Sequence, residues 1–175
     1  MIGALSGTLE ALEDGDAQAT ALVDVVGVGY EVVVSSRCAR IIGPIGEPVR
    51  LSVHTHVREG AITLYGFSNR EERRIFELLI TAHGIGPALA LAILSVHPPE
   101  SLAAAVVSAD VDALCLVPGV GKKTAQRLLV ELAGRIGDDH VPMPATNGDG
   151  SGASAAAELK EALGALGYAP EEIRV

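Results

Sequence analysis

Aromatic side chains, cysteines and long apolar runs are scarce in this chain of 175 residues, and each scarcity excludes a class of protein. Aromatic residues make up 3% of the sequence, so alanine, valine and leucine must form most of the core. The two cysteines, Cys38 and Cys115, lie far apart and fit no metal-ligand spacing. A disulfide framework is therefore excluded, and a buried thiol is expected at each position. With no apolar run of spanning length and no signal peptide, we expect a soluble cytoplasmic protein without a membrane partner.

Positive charge is scarce too, because 13 basic side chains face 22 acidic ones and the net charge is −9. This balance argues against a protein that binds any polyanion through long-range attraction. The deficit is smallest in residues 68–141, which hold seven basic and nine acidic side chains. A local basic strip on an acidic body favours recognition of a ligand by its shape.

Glycine is plentiful, and twice it forms a Gly-x-Gly turn that opens directly into a helix. A shift of 35 residues lays 82–94 over 117–129 and aligns Gly84 with Gly119 and Gly86 with Gly121. The preceding helices align as well. Such an internal repeat is typical of a tandem helix-hairpin-helix motif.

The chemistry of these turns favours a phosphate ligand. The first N–H groups of a helix are unpaired and point along its axis, and glycine lets an anion come close to them. Lys122 and Lys123 add positive charge at a helix start, where it opposes the helix dipole unless an anion is bound. The spacing is not that of a nucleotide-binding P-loop. Two such turns side by side suit the two strands of a duplex, so we expect DNA binding without sequence specificity.

The rest of the sequence predicts a multidomain α+β chain. Residues 1–67 contain about five alternating strands, with a hairpin signal at Gly27-Val28-Gly29 and an irregular segment near 38–42, and we predict an oligonucleotide-binding (OB) type β-barrel. In the strand 51–57, the odd-numbered residues from Leu51 to Val57 are expected on the buried face and the alternating polar residues on the wet face. Residues 68–141 change to helical periodicity, and we expect about five helices in one all-α domain. The segment 142–152 is rich in Gly, Pro, Asp and Asn and is predicted to be a flexible linker. Residues 153–175 form one amphipathic helix and the start of a second, which cannot bury a core alone. This short helical domain either docks on a partner or is truncated.

Six motifs in this order resemble the RuvA family of Holliday-junction-binding proteins, which support branch migration by the RuvB motor. They are the opening MIG, GVGYEV at 27–32, VREG-x-x-x-LYGF at 57–67, GIGP-x-LALAIL at 84–94, PGVGKKTA-x-RL at 118–128 and ALGYAPEE at 165–172. The resemblance implies a homotetramer, possibly an octamer on DNA, that holds four-way junctions open and square in recombination and repair. Its implied partners are RuvB, which hydrolyses ATP, and the RuvC resolvase. It implies no catalytic residue, cofactor or metal in this chain.

The resemblance also assigns site residues. The implied DNA-binding residues are Gly84, Ile85, Gly86, Pro87, Gly119, Val120, Gly121, Lys122, Lys123, Thr124 and Arg127. An acidic pin at the junction centre falls on Glu59, beside Arg58, and partner-binding residues fall on Leu159, Leu163, Leu166 and Tyr168.

Three departures from the family pattern modify these expectations. Gly60 replaces the second carboxylate of the pin, so repulsion of phosphates should be weaker there. Ala88 replaces a basic residue after the first hairpin, so that hairpin is expected to rely on backbone N–H groups and helix polarity alone. The family's motor-binding domain normally continues beyond Val175, so coupling to the motor is expected to be incomplete.

Two other function classes stay open on the residues alone. Helix-hairpin-helix DNA glycosylases place a catalytic aspartate about twenty residues after the hairpin, and Asp138 and Asp139 lie near that position, although in the predicted linker. A protein-interaction scaffold would bind no DNA. His54 and His56 share a strand face but have no evident third metal ligand.

Overall fold

The computed structural model describes residues 1–15, 18–133 and 135–136 of the chain. All of them belong to the first of its two units, Met1–His140. In chain order the elements are β1 (Ala4–Asp14), β2 (Gln18–Val25), β3 (Val28–Ser35), α1 (Ser36–Ala39), β4 (Pro48–Arg58), β5 (Ala61–Phe67), α2 (Arg70–Leu79), α3 (Pro87–Val96), α4 (Pro99–Val107), α5 (Val111–Cys115) and α6 (Lys122–Leu132). Two hydrophobic cores form, one inside the strands and one among α2 to α6.

The five strands close into a barrel in the order β1-β2-β3-β5-β4, which confirms the predicted architecture. Neighbouring strands pair antiparallel except β3 and β5, which are parallel. Strand alternation fills the interior because every second side chain points inward. On β2 these are Ala19, Ala21 and Val23, all buried. Their small volumes suit a narrow barrel with few aromatic residues.

The predicted alternation on β4 is wrong near the end of the strand. Val57 was expected on the buried face but is 68% exposed. β4 pairs with β1 only as far as Ser52, whereas its pairing with β5 continues to Arg58. Over residues 57–62, β4 and β5 therefore project as a two-stranded hairpin with solvent on both sides. Ile62, the cross-strand neighbour of Val57, is likewise 71% exposed.

Two local predictions in the barrel also shift. The β2–β3 hairpin exists, but its two turn residues are Val26 and Gly27, both with positive φ, and Val28 already belongs to β3. Positive φ at both residues is typical of a type I′ turn, whose twist matches the right-handed twist of the two flanking strands. The segment expected to be irregular near 38–42 begins with the single helical turn α1, whose start is capped by the Ser35 hydroxyl accepting from Cys38 N at 3.0 Å.

The five predicted helices are all present and pack as the second core. α2 begins at Asn69, whose side chain accepts a hydrogen bond from Glu72 N at 2.8 Å, the usual device for satisfying a helix start. Its buried stripe is Ile75, Phe76 and Leu79. Among the described residues, no single helix is long and apolar enough to cross a membrane, and α3 and α4 meet that test only as a pair bent by 92°.

A buried carboxylate on α2 bonds to α1 and to the residue that follows the last barrel strand. Glu72 is only 3% exposed, and it pairs with Arg37 and accepts hydrogen bonds from the Ser68 backbone N–H at 3.1 Å and hydroxyl at 2.7 Å. These bonds satisfy a charge that would be costly if it were buried alone. Burial, helped by this nearby carboxylate, raises the pKa of the Cys38 thiol to about 12.

Both cysteines are free thiols, as expected for a chain without a disulfide framework. Cys38 is fully buried, but Cys115 is only partly buried because α5 is a short helix at the surface of the second core. The expectation of a buried thiol therefore holds for Cys38 and is wrong for Cys115.

Candidate nucleic-acid interface

The two glycine hairpins have the same backbone geometry. The first glycine of each turn has a left-handed φ, 78° at Gly84 and 88° at Gly119. The second, Gly86 or Gly121, is the N-cap of the following helix, with φ near −90° and extended ψ at both. The residue between them folds back by a hydrogen bond to a carbonyl three residues earlier, at 3.1 Å in the first hairpin and 3.0 Å in the second.

Each hairpin leaves the start of its helix open. α3 and α6 have no side-chain hydrogen bond at the N-cap, as is also true of α4, whereas α1, α2 and α5 are capped by Ser35, Asn69 and Asp110. All four hairpin glycines are exposed. Because the first-turn N–H groups of a helix have no partner within it, both openings present donors to solvent. The geometry suits an oxyanion at each hairpin.

The candidate residues divide by burial into those that can meet a ligand with a side chain and those that cannot. Lys122 and Lys123 are exposed at the first turn of α6, and Thr124 beside them is half-buried. Ile85 and Val120 are buried in the helical core, and their backbone N–H groups already bond within the turn. Those two residues therefore fix the shape of the hairpins. The N–H groups that remain open to a ligand are those in the first turns of α3 and α6.

A carboxylate near the end of α6 ties this helix to the first hairpin. Glu131 Oε2 accepts a hydrogen bond from the backbone N–H of His83, in the first hairpin, at 3.0 Å. Its other oxygen, Oε1, lies 3.7 Å from Arg127 Nε, one helical turn earlier. The second hairpin in turn approaches the helix that follows the first hairpin, because a Cβ placed on Gly119 would lie 3.4 Å from the Leu89 side chain of α3. The two openings therefore lie side by side.

Arg127 brings the guanidinium of the second hairpin's helix to the first hairpin. A Cβ placed on Gly84 would lie 2.8 Å from Arg127 Nη2, so the guanidinium occupies the space that a side chain there would need. Residues 82–89 contain no lysine or arginine. The expectation that the first hairpin relies on backbone groups and helix polarity alone considered only the hairpin's own residues, whereas the structure places a guanidinium from α6 beside it.

The β4–β5 hairpin places Glu59 at its tip. Glu59 and Gly60 form the two-residue turn, and both are exposed. Gly60 has a φ of 81°, a conformation that side chains rarely adopt, which explains a glycine at this position. Arg58, beside the pin, donates a hydrogen bond from Nε to His56 Nε2 at 2.8 Å.

Known protein families match both the β-barrel and the helical part of this chain. The sequence profile of the RuvA N-terminal domain matches residues 1–66, and that of the SAM-like helix-hairpin-helix tandem matches residues 76–133. A protein from Laribacter hongkongensis, described as Holliday junction branch migration complex subunit RuvA, is 46% identical over 98% of this chain and 86% of its own length. The chain belongs to the RuvA family. Relatives with the same description from Acidobacterium capsulatum (44% identity over 96% of this chain and 82% of the relative) and Micrococcus luteus (40% over 98% and 80%) agree.

Sequence reasoning missed two residues of this RuvA-family site, Glu131 and the backbone of His83. The signal for Glu131 was available, because Arg127 and Glu131 are four residues apart on one helix, where opposite charges pair. No local pattern indicates that the pair would reach the other hairpin. That contact depends on how α6 packs against the first hairpin in the helical core.

The two strand histidines have structural partners instead of a metal. His54 Nδ1 lies 3.1 Å from Glu77 Oε1, and the His54 ring packs edge-on against Phe76. Within the described ranges, no group of three or more histidine, cysteine or acidic side chains could hold a metal ion.

The remaining assignments lie outside the described residues. They are the linker 142–152, the helical tail 153–175 with Leu159, Leu163, Leu166 and Tyr168, and the rival aspartates Asp138 and Asp139.

Proposed function

We propose that this protein binds four-way DNA junctions through their shape, without reading their sequence, and acts as the non-catalytic scaffold for branch migration. The observation that carries this proposal is the matched pair of exposed, uncapped hairpins, which meet where Gly119 approaches Leu89 and where α6 bonds to the first hairpin through Glu131. Contacts to the DNA backbone position a protein without carrying base information. The relatives' description as branch migration complex subunits supports the same activity.

At the residue level, we assign one phosphate group to each hairpin. The second hairpin would hold its phosphate with the open N–H groups at the start of α6 and with Lys122 and Lys123. The first would use the N–H groups at the start of α3, together with the guanidinium of Arg127. Each hairpin then has both backbone donors and positive charge, although only the second has basic residues of its own.

We further assign the projecting β4–β5 hairpin to the centre of a homotetramer. Val57 and Ile62 are cross-strand neighbours and strongly exposed just below the tip, an arrangement that other copies of the chain would cover. Glu59 from each copy would then form a ring of carboxylates that repels DNA phosphates and favours the open junction. Hydrolysis of ATP belongs to the RuvB partner in this proposal, and RuvC would act on the same DNA in the cytoplasm.

The salt dependence of junction binding tests the assignment of the lysines. Each phosphate contact contributes about 0.9 to the slope of log K against log salt on B-form DNA. Lys122→Ala/Lys123→Ala should lower that slope by about 1 for each subunit bound, because one phosphate contact is lost, whereas Arg40→Ala, which removes an exposed charge at the end of α1, should leave it unchanged. An equal decrease in both variants would show that general charge, and not the hairpin, binds the DNA.

A further inference from the structure

A cavity at the opposite end of α2 from the first hairpin is lined by three arginines. It has a volume of about 530 Å³ and lies where the start of β1, the middle of β4 and the start of α2 meet. Arg50 and Ser52 project from the outer face of β4, and Arg70 and Arg73 lie one helical turn apart on α2. Of the described residues that line the cavity, none is acidic.

The positive charge of this cavity is largely uncompensated. The side chains of Arg50 and Arg70 are exposed and form no ion pair or hydrogen bond with another described residue. Arg73 is fixed in place, since its Nη1 donates to Gly3 O at 3.0 Å and its Nε lies 3.5 Å from Glu77. A chain with 22 acidic side chains therefore concentrates three permanent cations around one space without an acid in its lining. Like charges that line one cavity repel, and a bound anion relieves that repulsion.

We propose that this cavity is a phosphate-binding site, with Arg50 and Arg70 as the ligand-binding residues and Arg73 as a fixed third charge. Guanidinium groups match the geometry of a phosphate because they can donate two parallel hydrogen bonds. The Ser52 hydroxyl, half-buried in the lining, supplies a neutral donor. The volume admits a phosphate together with part of the molecule that carries it.

The site is separate from the two hairpins. α2 has 10 residues, so its ends lie about 15 Å apart, and the cavity is at its start whereas the first hairpin follows its end. One phosphate group cannot reach both. The ligand is a free phosphate or a backbone phosphate of DNA, and only the second source rests on the function proposed above.

Thermal unfolding in sodium phosphate tests the site directly, with sodium chloride of equal ionic strength as the reference. At a phosphate concentration ten times Kd, binding should raise the unfolding midpoint by about 4 °C. We expect this shift in the unmodified protein and in Arg40→Ala, an exposed arginine outside the cavity, and its loss in Arg50→Ala and in Arg70→Ala. General stabilisation by phosphate salts acts on all four proteins alike and cancels in the comparison. Equal shifts in all four would overturn the proposal.

The salt dependence of junction binding then identifies the source of the phosphate. If DNA supplies it, Arg50→Ala and Arg70→Ala should each lower the slope of log K against log salt by about 1, and Arg40→Ala should not. A thermal shift without a change in slope assigns the site to free phosphate. If the protein binds no junction, the function proposed above fails while the thermal test still decides this one. If phosphate has no effect and Arg70→Ala lowers the sedimenting mass, an acidic side chain of a second copy fills the cavity and the proposal is wrong.

Discussion

Replacement of Arg127 by alanine removes the guanidinium that lies against Gly84 of the first hairpin, and its effect can be estimated from the structure. Residues 82–89 supply no lysine or arginine, so loss of this guanidinium should remove one phosphate contact and lower the salt slope by about 0.9. A hydrogen bond to a charged group contributes about 1.5–3 kcal/mol. Exposure of Arg127 and screening by salt reduce this to about 1 kcal/mol, or about a fivefold increase in the junction Kd.

Glu131 provides the sharper test, because two explanations predict opposite signs. If charge alone matters, removal of a carboxylate beside the DNA should tighten binding. If Glu131 holds Arg127 and the first hairpin in place, Glu131→Ala should weaken binding by about two- to fivefold, because both of its contacts are lost. Glu131→Gln keeps an oxygen that can accept from the His83 N–H, and it should stay within about twofold of the unmodified protein.

Fluorescence anisotropy with a labelled four-way junction, measured at several salt concentrations, gives both the affinity and the slope. Circular dichroism and the unfolding midpoint of each variant establish that it is folded. Tighter binding by Glu131→Ala, equal to that of Glu131→Gln, would refute the role of Glu131 as a brace. An unchanged slope in Arg127→Ala would refute the phosphate contact at the first hairpin.

Four further outcomes follow from individual positions. Gly60→Asp adds a second carboxylate beside Glu59, at a position where a Cβ meets nothing within 4 Å. The variant should bind linear duplex more weakly, and the positive φ of residue 60 should make it less stable by about 1 kcal/mol. Tighter duplex binding in a gel-shift assay would contradict the repulsive role of Glu59. Gly66→Ala places a Cβ 2.6 Å from a valine side chain of β3, so urea unfolding should show a loss of about 1–3 kcal/mol, and no loss would show that the barrel can repack. The raised pKa of about 12 keeps the Cys38 thiol protonated in the folded protein, whereas the thiol of the unfolded chain ionises above about pH 9. The free energy of unfolding should therefore fall as the pH rises between these two values, and Cys38→Ala should remove that decrease. At pH 8 a thiol reagent should modify Cys115 alone until denaturant exposes Cys38, and rapid labelling of both thiols would contradict the burial.

The parts of the fold that depend on local rules could be predicted from the sequence. The five strands, the closed barrel and the five helices follow from periodicity and from glycine and proline positions. The prediction for Val57 was wrong because burial on a strand depends on having a second neighbour, and β1 leaves β4 after Ser52. The one-residue shift of the β2–β3 turn has a similar origin, since strand pairing and not glycine position fixes which residues form the loop.

The candidate site shows the same division. The repeat of 35 residues was sufficient to predict two equivalent hairpins, because each hairpin is built from its own local hydrogen bonds. The link between them was not predictable, because it joins Glu131 to a backbone group 48 residues away. Arg127 was assigned to DNA by the family resemblance, but only the packing of α6 shows that it lies against the other hairpin. A site made from two local motifs can thus be located from sequence, whereas the residues that couple them require the tertiary structure.

The measurement that tests the account most directly is the ratio of two dissociation constants, one for a four-way junction and one for a linear duplex of the same sequence composition. Paired hairpins that recognise DNA by shape predict tighter binding of the junction, by about tenfold or more, and loss of that preference in Lys122→Ala/Lys123→Ala. Equal affinity of the unmodified protein for both DNAs would contradict recognition of the junction.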